Sequence, residues 1–135
     1  MSVAADSSVA IAALLDGHPA HAAAADALAS CTATIGHVAA EAYSVLTRMP
    51  PPNQADPATA ADVLAERLPS TFLTLSGGEY AKAPARLAAA GIGAGATYDG
   101  LIALTALKHD LELLTRDLRA VRSYRALGIR FTTIG

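Results

Sequence analysis

Apolar and polar positions change along the chain in blocks that predict short strands separated by helices. Apolar or β-branched runs bounded by Gly, Pro or polar residues predict strands at 2–5, 32–35, 71–75, 112–114 and 129–134. Segments of helical periodicity predict helices near 9–15, 18–30, 37–48, 57–68, 79–90, 97–109 and 117–124. Strands that alternate with helices are typical of parallel α/β proteins. We therefore predict an α/β fold and one domain, residues 1–135.

Proline and glycine mark the clearest breaks between these elements. The proline-rich run at 49–53 ends one helix, and Asp56 can cap the next one with Pro57 in its first turn. The glycine-rich run at 91–95 predicts a flexible loop. It follows a helix and lacks a Lys-Ser/Thr ending, so a phosphate loop of the Walker type is excluded.

Composition narrows the class of protein further. The net charge of −2 and the pI of about 6.0 argue against a broad basic surface for non-specific nucleic-acid binding, although a local basic rim is compatible with both. A lone cysteine, Cys31, excludes an internal disulfide. There is no apolar run of membrane-spanning length and no basic stretch typical of a signal peptide. We expect a soluble, cytoplasmic protein.

Four acidic residues lie at junctions between predicted strands and helices. Asp6 and Asp117 each follow a strand, Asp99 opens a helix, and Glu41 lies in the first turns of another helix. The carboxyl ends of parallel strands meet at one crevice. Carboxylates gathered there repel one another unless a cation neutralises them, and Mg²⁺ or Mn²⁺ prefers such oxygen ligands. The pattern predicts metal-assisted hydrolysis of a phosphodiester.

Each acid can be given a role, and each also has a purely structural explanation. We expect Asp6 and Asp99 to be the core metal ligands, and Asp117 to complete a second metal or to bind through water. Glu41 would bridge the metals or activate the attacking water. The three aspartates could instead be only helix caps. Glu41 is harder to explain in that way, because a lone carboxylate in an apolar helix needs a partner.

Hydroxyl and basic residues complete the candidate site. Ser7 and Thr115 could hydrogen-bond the ligating carboxylates. Arg116, Arg119 and Arg122 are spaced by three, so they could line one helical edge beside the last acid and hold RNA phosphates. The alternative is that these arginines form an ordinary solvated face.

The order and surroundings of the acids resemble the PIN-domain family, and more closely the VapC-type toxins of bacterial toxin–antitoxin pairs. The resemblance rests on Asp6-Ser7-Ser8, on Glu41 within an apolar helix, on the Tyr-Asp pair at 98–99 before an apolar run, and on Leu-Leu-Thr-Arg-Asp at 113–117. It covers nearly the whole chain. It implies a three-layer α/β/α PIN-like domain with a central, mostly parallel sheet of about five strands.

The resemblance also implies an activity, a cofactor and partners. The activity would be that of an Mg²⁺- or Mn²⁺-dependent endoribonuclease with Asp6, Glu41, Asp99 and Asp117 as its acidic quartet. Such proteins are usually homodimers held inactive by a small VapB-type antitoxin, in a heterotetramer or a larger assembly. The helices near 9–30 and 55–68 are rich in small residues, and the resemblance implies that an antitoxin tail wraps around this surface.

Two positions depart from the pattern of the family. Arg119 stands where many relatives carry another acid or Asn, which puts a second metal in question, and Tyr98 stands where relatives often carry a smaller or polar residue. The first departure motivates an alternative function, a catalytically weak PIN-like module that binds RNA or protein. A phosphatase or a DNA nuclease with the same carboxylates is a third hypothesis.

Overall fold

Seven α-helices and five short β-strands lie within residues 2–135, the part of the chain that the computed structural model describes. The strands are β1 (Val3–Ala5), β2 (Thr34–Ile35), β3 (Phe72–Leu73), β4 (Glu112–Thr115) and β5 (Phe131–Thr133). The helices are α1 (Ser7–Leu14), α2 (His21–Ala29), α3 (Gly36–Arg48), α4 (Pro57–Arg67), α5 (Gly77–Ala89), α6 (Thr97–Lys108) and α7 (Leu118–Ala126). The glycine-rich run contains a short 3₁₀ helix at Ala94–Ala96.

The strands pair in parallel, as the alternation of strands and helices predicted. One ladder has the order β1-β4-β5, and a second ladder joins β2 to β3. Thr32, just before β2, connects the two ladders, because its backbone N–H donates to the carbonyl of Val3 at 2.8 Å. The predicted five strands are therefore present, although β2 and β3 are shorter than the sequence pattern indicated.

The placement of β1 beside β4 determines where the functional residues lie. Ala5 pairs with Leu114 in this parallel ladder, and the backbone N–H of Asp6 donates to the carbonyl of Leu114 at 3.0 Å. The two chain segments that leave these strands therefore start at the same edge of the sheet. The first segment continues into α1, and the second, which contains Asp117, continues into α7.

Helices flank the sheet and bury a core that consists mainly of aliphatic side chains. The helix α1 packs on α2 and against β1 and β4, while α6 and α7 pack on each other and against β4. Alanines such as Ala4, Ala10 and Ala103 are fully buried, which allows this close approach of helices and strands. The largest fully buried side chain is Tyr124. A buried tyrosine hydroxyl needs a hydrogen-bond partner, and that partner lies in the candidate site.

Three helices, α1, α4 and α5, begin at residues whose side chains accept hydrogen bonds from the backbone of the first turn. Asp56 caps α4 by accepting from the backbone N–H of Thr59, with Pro57 in the first turn, as predicted. A reciprocal pair of hydrogen bonds between Ser76 and Glu79 starts α5. Helix α1 begins two residues earlier than predicted, because its N-cap is Asp6, whose side chain accepts from the backbone N–H of Val9.

No helix within residues 2–135 combines the length and apolar character that crossing a membrane requires.

Candidate active site

Asp6 is the most deeply buried acid of the site and is held on both carboxylate oxygens. Its side chain is almost inaccessible, with the residue 2% exposed. The hydroxyl of Ser8 donates to Oδ1 at 2.6 Å, and the backbone N–H of Val9 donates to the same oxygen at 3.3 Å. The hydroxyl of Tyr124 donates to Oδ2 at 2.7 Å. Asp6 therefore caps α1 and at the same time has a fixed orientation.

Tyr124 is suited to this donor role. Burial raises the pKa of its hydroxyl above the ordinary value, and the negative charge of Asp6 raises it further. The hydroxyl therefore keeps its proton and continues to donate. The sequence analysis did not identify either Tyr124 or Ser8 as part of the site.

The hydroxyl contacts differ from those predicted for Ser7 and Thr115. Ser8, not Ser7, bonds the carboxylate of Asp6, because the hydroxyl two residues after an N-cap aspartate lies within its reach. The Ser7 hydroxyl oxygen is buried and has no hydrogen-bond partner among residues 2–135. The hydroxyl oxygen of Thr115 accepts from the backbone N–H of Asp117 at 3.1 Å. Thr115 thus supports the backbone of this acid rather than a carboxylate.

Asp117 and Asp99 lie at the starts of helices, in different ways. Asp117 is the N-cap of α7, and its Oδ1 accepts from the backbone N–H of Arg119 at 2.9 Å. Asp99 lies inside the first turn of α6, whose N-cap is Ala96, so Asp99 is not a cap. The cap explanation therefore applies to Asp117 but leaves Asp99 unexplained.

The electrostatics of Asp99 link the four acids. Burial raises its pKa to about 6, and the charges of Asp117, Asp6 and Glu41 contribute to the same shift, in that order. Arg119 is the opposing influence, since its positive charge lowers this pKa. Four carboxylates from α3, α6 and the ends of β1 and β4 therefore act on one another in a single site.

Glu41 approaches this site from α3 together with His37. The imidazole Nε2 of His37 lies 3.0 Å from Oε1 of Glu41, one helical turn away. Both atoms are buried, and their contact lacks hydrogen-bond geometry, so neither has a hydrogen-bond partner within the described chain. The imidazole also stacks on the ring of Tyr98. Glu41 thus has a close neighbour but no donor that holds its buried oxygen.

The three arginines do not share one helical edge, contrary to the prediction. Arg116 precedes α7, which begins at Leu118, so only Arg119 and Arg122 lie on that helix. The side chain of Arg119 is 97% exposed, with Nε 3.7 Å from Oδ1 of Asp117. Arg116 is partly buried, and its Nε has no hydrogen-bond partner among the described residues.

Arg119 and Arg122 line a groove between α7 and the glycine-rich loop. Its volume is about 580 Å³, and its other walls include Gly91, Gly93 and Ala96. The groove therefore combines exposed guanidinium groups with a loop that has little side-chain bulk. Such a surface can accommodate a phosphate backbone.

The donor set can be compared with what a metal ion requires. No three His, Cys, Asp or Glu side chains within residues 2–135 lie close enough together to surround an ion by themselves. Burial and the neighbouring charges of Asp117, Asp6 and Glu41 raise the pKa of Asp99 to about 6, so these carboxylates lie close enough to act on one ion. Mg²⁺ keeps several waters and binds through one or two carboxylates. Asp6, Asp99 and Asp117 could thus hold a hydrated ion, and a fully dehydrated one fits poorly.

The sequence matches the PIN domain family over residues 3–126. The chain therefore belongs to the PIN-domain family.

Two relatives from Mycobacterium tuberculosis are similar over almost their whole length. Ribonuclease VapC40 is 41% identical over 127 residues, which cover 94% of this chain and 95% of that protein. Ribonuclease VapC27 is 44% identical over 128 residues, with coverage of 94% and 93%. The resemblance to VapC-type members that the acidic quartet indicated is thus confirmed.

A solved structure supports the fold. A chain in the crystal structure of VapBC2 from Rickettsia felis, bound to a DNA fragment from the promoter, superposes with a TM-score of 0.69. The two chains are 19% identical, and the match covers 100% of each. At this identity the similarity concerns the fold alone.

Proposed function

We propose that this chain is a metal-dependent endoribonuclease that acts as the toxin of a toxin–antitoxin pair. The observation that carries the proposal is the gathering of four acids from α3, α6 and the ends of β1 and β4, where burial first and then the charges of Asp117, Asp6 and Glu41 raise the pKa of Asp99 to about 6. Carboxylates in this arrangement need a cation, and Mg²⁺ or Mn²⁺ is the kind that suits them. The names of the VapC relatives support RNA as the substrate.

Each residue of the site has a separate role in the proposed hydrolysis. When bound, Mg²⁺ or Mn²⁺ neutralises the carboxylates and withdraws charge from the attacked phosphate. Asp6, Asp99 and Asp117 would hold the ion, and the hydrogen bonds from Ser8 and Tyr124 keep Asp6 in place. Glu41 removes a proton from the attacking water. The water oxygen bonds to phosphorus, the bond to the ribose oxygen breaks, and that oxygen takes a proton from solvent.

The substrate and partner surfaces lie on different parts of the molecule. Arg119 and Arg122 offer guanidinium groups to RNA phosphates along the groove beside α7. A cleft of about 410 Å³ with both apolar and polar walls lies between α1, α3 and α4, and Leu14, Leu46 and Val63 are among its apolar residues. A VapB-type antitoxin segment would pack in this cleft, where the sequence predicted a partner surface. The toxin would be a cytoplasmic homodimer, inhibited by this antitoxin.

The test is cleavage of a mixed RNA pool by purified protein with Mg²⁺, with Mn²⁺ and with EDTA. Single-stranded DNA and a phosphomonoester serve as alternative substrates. The Asp99→Asn variant should lose cleavage, whereas Asp62→Asn, which changes an exposed acid on α4, should retain it. Cleavage of RNA that persists in EDTA, or in Asp99→Asn, would contradict the proposal.

A specific observation favours one alternative, a PIN-like module that binds RNA or protein with little catalysis. Arg119 places a positive charge 3.7 Å from Asp117, where it competes with a cation for that carboxylate. An Arg119→Asn variant separates the two functions. An increase in metal-dependent cleavage identifies a nuclease that Arg119 restrains. RNA binding without turnover in both proteins identifies a binding module.

A further inference from the structure

Tyr98 combines unusual exposure with a fixed ring orientation. The residue is 55% exposed, although a tyrosine ring gains by burial. Its ring stacks on the imidazole of His37 with centroids 5.4 Å apart and planes within 6° of parallel. A ring held in this way has lost rotational freedom before any ligand arrives, so ordering it on binding costs little.

The stacked pair connects two helices that present catalytic candidates. His37 lies on α3 one turn before Glu41, and its Nε2 is 3.0 Å from Oε1 of that residue. Tyr98 lies on α6 immediately before Asp99. The exposed ring is therefore at the rim of the acidic site and not on a remote surface.

We propose that the Tyr98 ring, supported by His37, is a stacking surface for an unpaired nucleobase next to the phosphate that is cleaved. This inference rests on the proposed function and specifies its substrate as single-stranded RNA or an unpaired loop. A base in a duplex is already stacked and cannot use the ring without leaving its partner. An aromatic face accepts any of the four bases, so this contact selects strand state rather than sequence.

The basic groove supports a nucleic-acid occupant for this surface. Ala96, two residues before Tyr98, is part of the wall that Arg119 and Arg122 share. A strand could thus place a base on the ring and the neighbouring phosphates beside the guanidinium groups. Base stacking and bidentate phosphate contacts together are the usual means of holding single strands.

The test is a thermodynamic cycle between the ring and individual bases. Labelled single-stranded RNAs carry one abasic site, placed at each position in turn, and their affinity is measured by fluorescence anisotropy. All proteins carry Asp117→Asn and are measured with Mg²⁺, so that the RNA stays intact. Three changes are compared, namely Tyr98→Leu, the conservative Tyr98→Phe, and Tyr80→Leu as a control at an exposed tyrosine on α5. Circular dichroism checks that each variant is folded.

We expect the loss of one particular base to weaken binding to the parent protein about tenfold, the usual effect of losing one base–aromatic stack. In Tyr98→Leu the same abasic site should have no further effect, because the partner ring is already missing. Tyr98→Phe and Tyr80→Leu should show the full tenfold penalty, since both keep the ring at 98.

The inference would be overturned if removal of the Tyr98 ring and removal of each base weakened binding independently. It would also be overturned if none of the RNAs bound. A loss of coupling in Tyr98→Phe would also overturn it, since the hydroxyl would then be the active group. Coupling between the ring and one base, without RNA cleavage by the unmodified chain, would support the stacking surface and contradict the proposed nuclease. Cleavage of single-stranded RNA without such coupling would support the nuclease and contradict the stacking surface.

Discussion

The two sides of the site differ in how the protein stabilises their carboxylates. Asp6 lies on one side, and Asp99 and Glu41 lie on the other. Asp6 is almost inaccessible and receives hydrogen bonds on both oxygens. Asp99 has its pKa raised by burial and by three neighbouring acids, and Glu41 has a buried oxygen without a donor. Asp6 is held by protein donors on both oxygens, whereas Asp99 carries a raised pKa and the buried oxygen of Glu41 has only the His37 imidazole nearby, without a hydrogen bond.

This difference separates what the fold needs from what the reaction needs. A buried carboxylate with good donors contributes to folding, and its removal leaves those donors unpaired. A carboxylate that repels its neighbours costs folding free energy and persists only if it has another use. Removal of the donors that hold Asp6 should thus reduce stability, whereas changes at Asp99 should reduce activity and leave stability intact.

The largest effect should come from Asp99→Asn. We expect metal-dependent RNA cleavage to fall by more than about 100-fold. Loss of a group that only supports a metal ligand costs up to about 100-fold, and Asp99 is proposed as a ligand itself. Stability in the absence of metal should stay the same or rise, because the amide removes one of four repelling charges. Cleavage rates and urea unfolding of the same preparations measure both quantities. A large loss of stability would show that Asp99 stabilises the folded state, which would contradict the difference drawn between Asp6 and Asp99.

A smaller effect should follow from adding metal to the intact chain. An ion that binds only the folded state at 100 times its Kd stabilises by about 2.7 kcal/mol. We expect Mg²⁺ or Mn²⁺ to raise the Tm accordingly, and EDTA to remove the gain. Asp99→Asn should show little of this shift. Differential scanning fluorimetry across a metal titration tests the prediction, and an equal shift in both proteins would place the ion elsewhere.

The opposite side of the site is tested by Tyr124→Phe. This change keeps the ring in the core but leaves Oδ2 of Asp6 without its 2.7 Å donor. An unsatisfied buried acceptor costs about 1–3 kcal/mol, which should appear as a lower urea midpoint with an unchanged m-value. Tyr43→Phe, at an exposed tyrosine on α3, should change stability by less than about 0.5 kcal/mol. Equal stability of the two variants would show that the Asp6 contact contributes nothing to folding.

The sequence predicted the features that depend on local chemistry. Strand–helix alternation indicated the parallel sheet, and Asp56 with Pro57 indicated the start of α4. The location of Asp6 and Asp117 after strands was also visible, because such positions meet at one edge of a parallel sheet.

Features that depend on tertiary contacts were not predictable in the same way. Tyr124 lies 118 residues from Asp6 in the chain, and only the packing of α7 against the sheet brings them together. The contact of the Asp6 carboxylate with Ser8 instead of Ser7 depends on the N-cap geometry of α1, which the sequence pattern did not show. The predicted helical edge of arginines was wrong for a simpler reason, because the helix predicted at 117–124 and observed at Leu118–Ala126 begins after Arg116 in both cases.

The smallest effect concerns Glu79, a partly exposed acid that is already paired with Lys108. Its pKa is lowered from the ordinary 4.5 to about 2, first by a hydrogen bond from Lys108 and then by its bonds with Ser76. Because the folded pKa lies below the unfolded one, this carboxylate stabilises the fold above about pH 4.5 and loses that contribution as the pH falls toward 2. Glu79→Gln should therefore be slightly less stable than the parent at pH 7, with the difference vanishing between those two pH values. The gain is small because the pair is exposed to solvent. The midpoints of urea unfolding, measured for both proteins between pH 7 and pH 2, test this prediction. A difference that persists at pH 2 would mean that Glu79 acts through packing or helix capping. This paired acid would then be no reference for Asp99, whose pKa is raised instead of lowered.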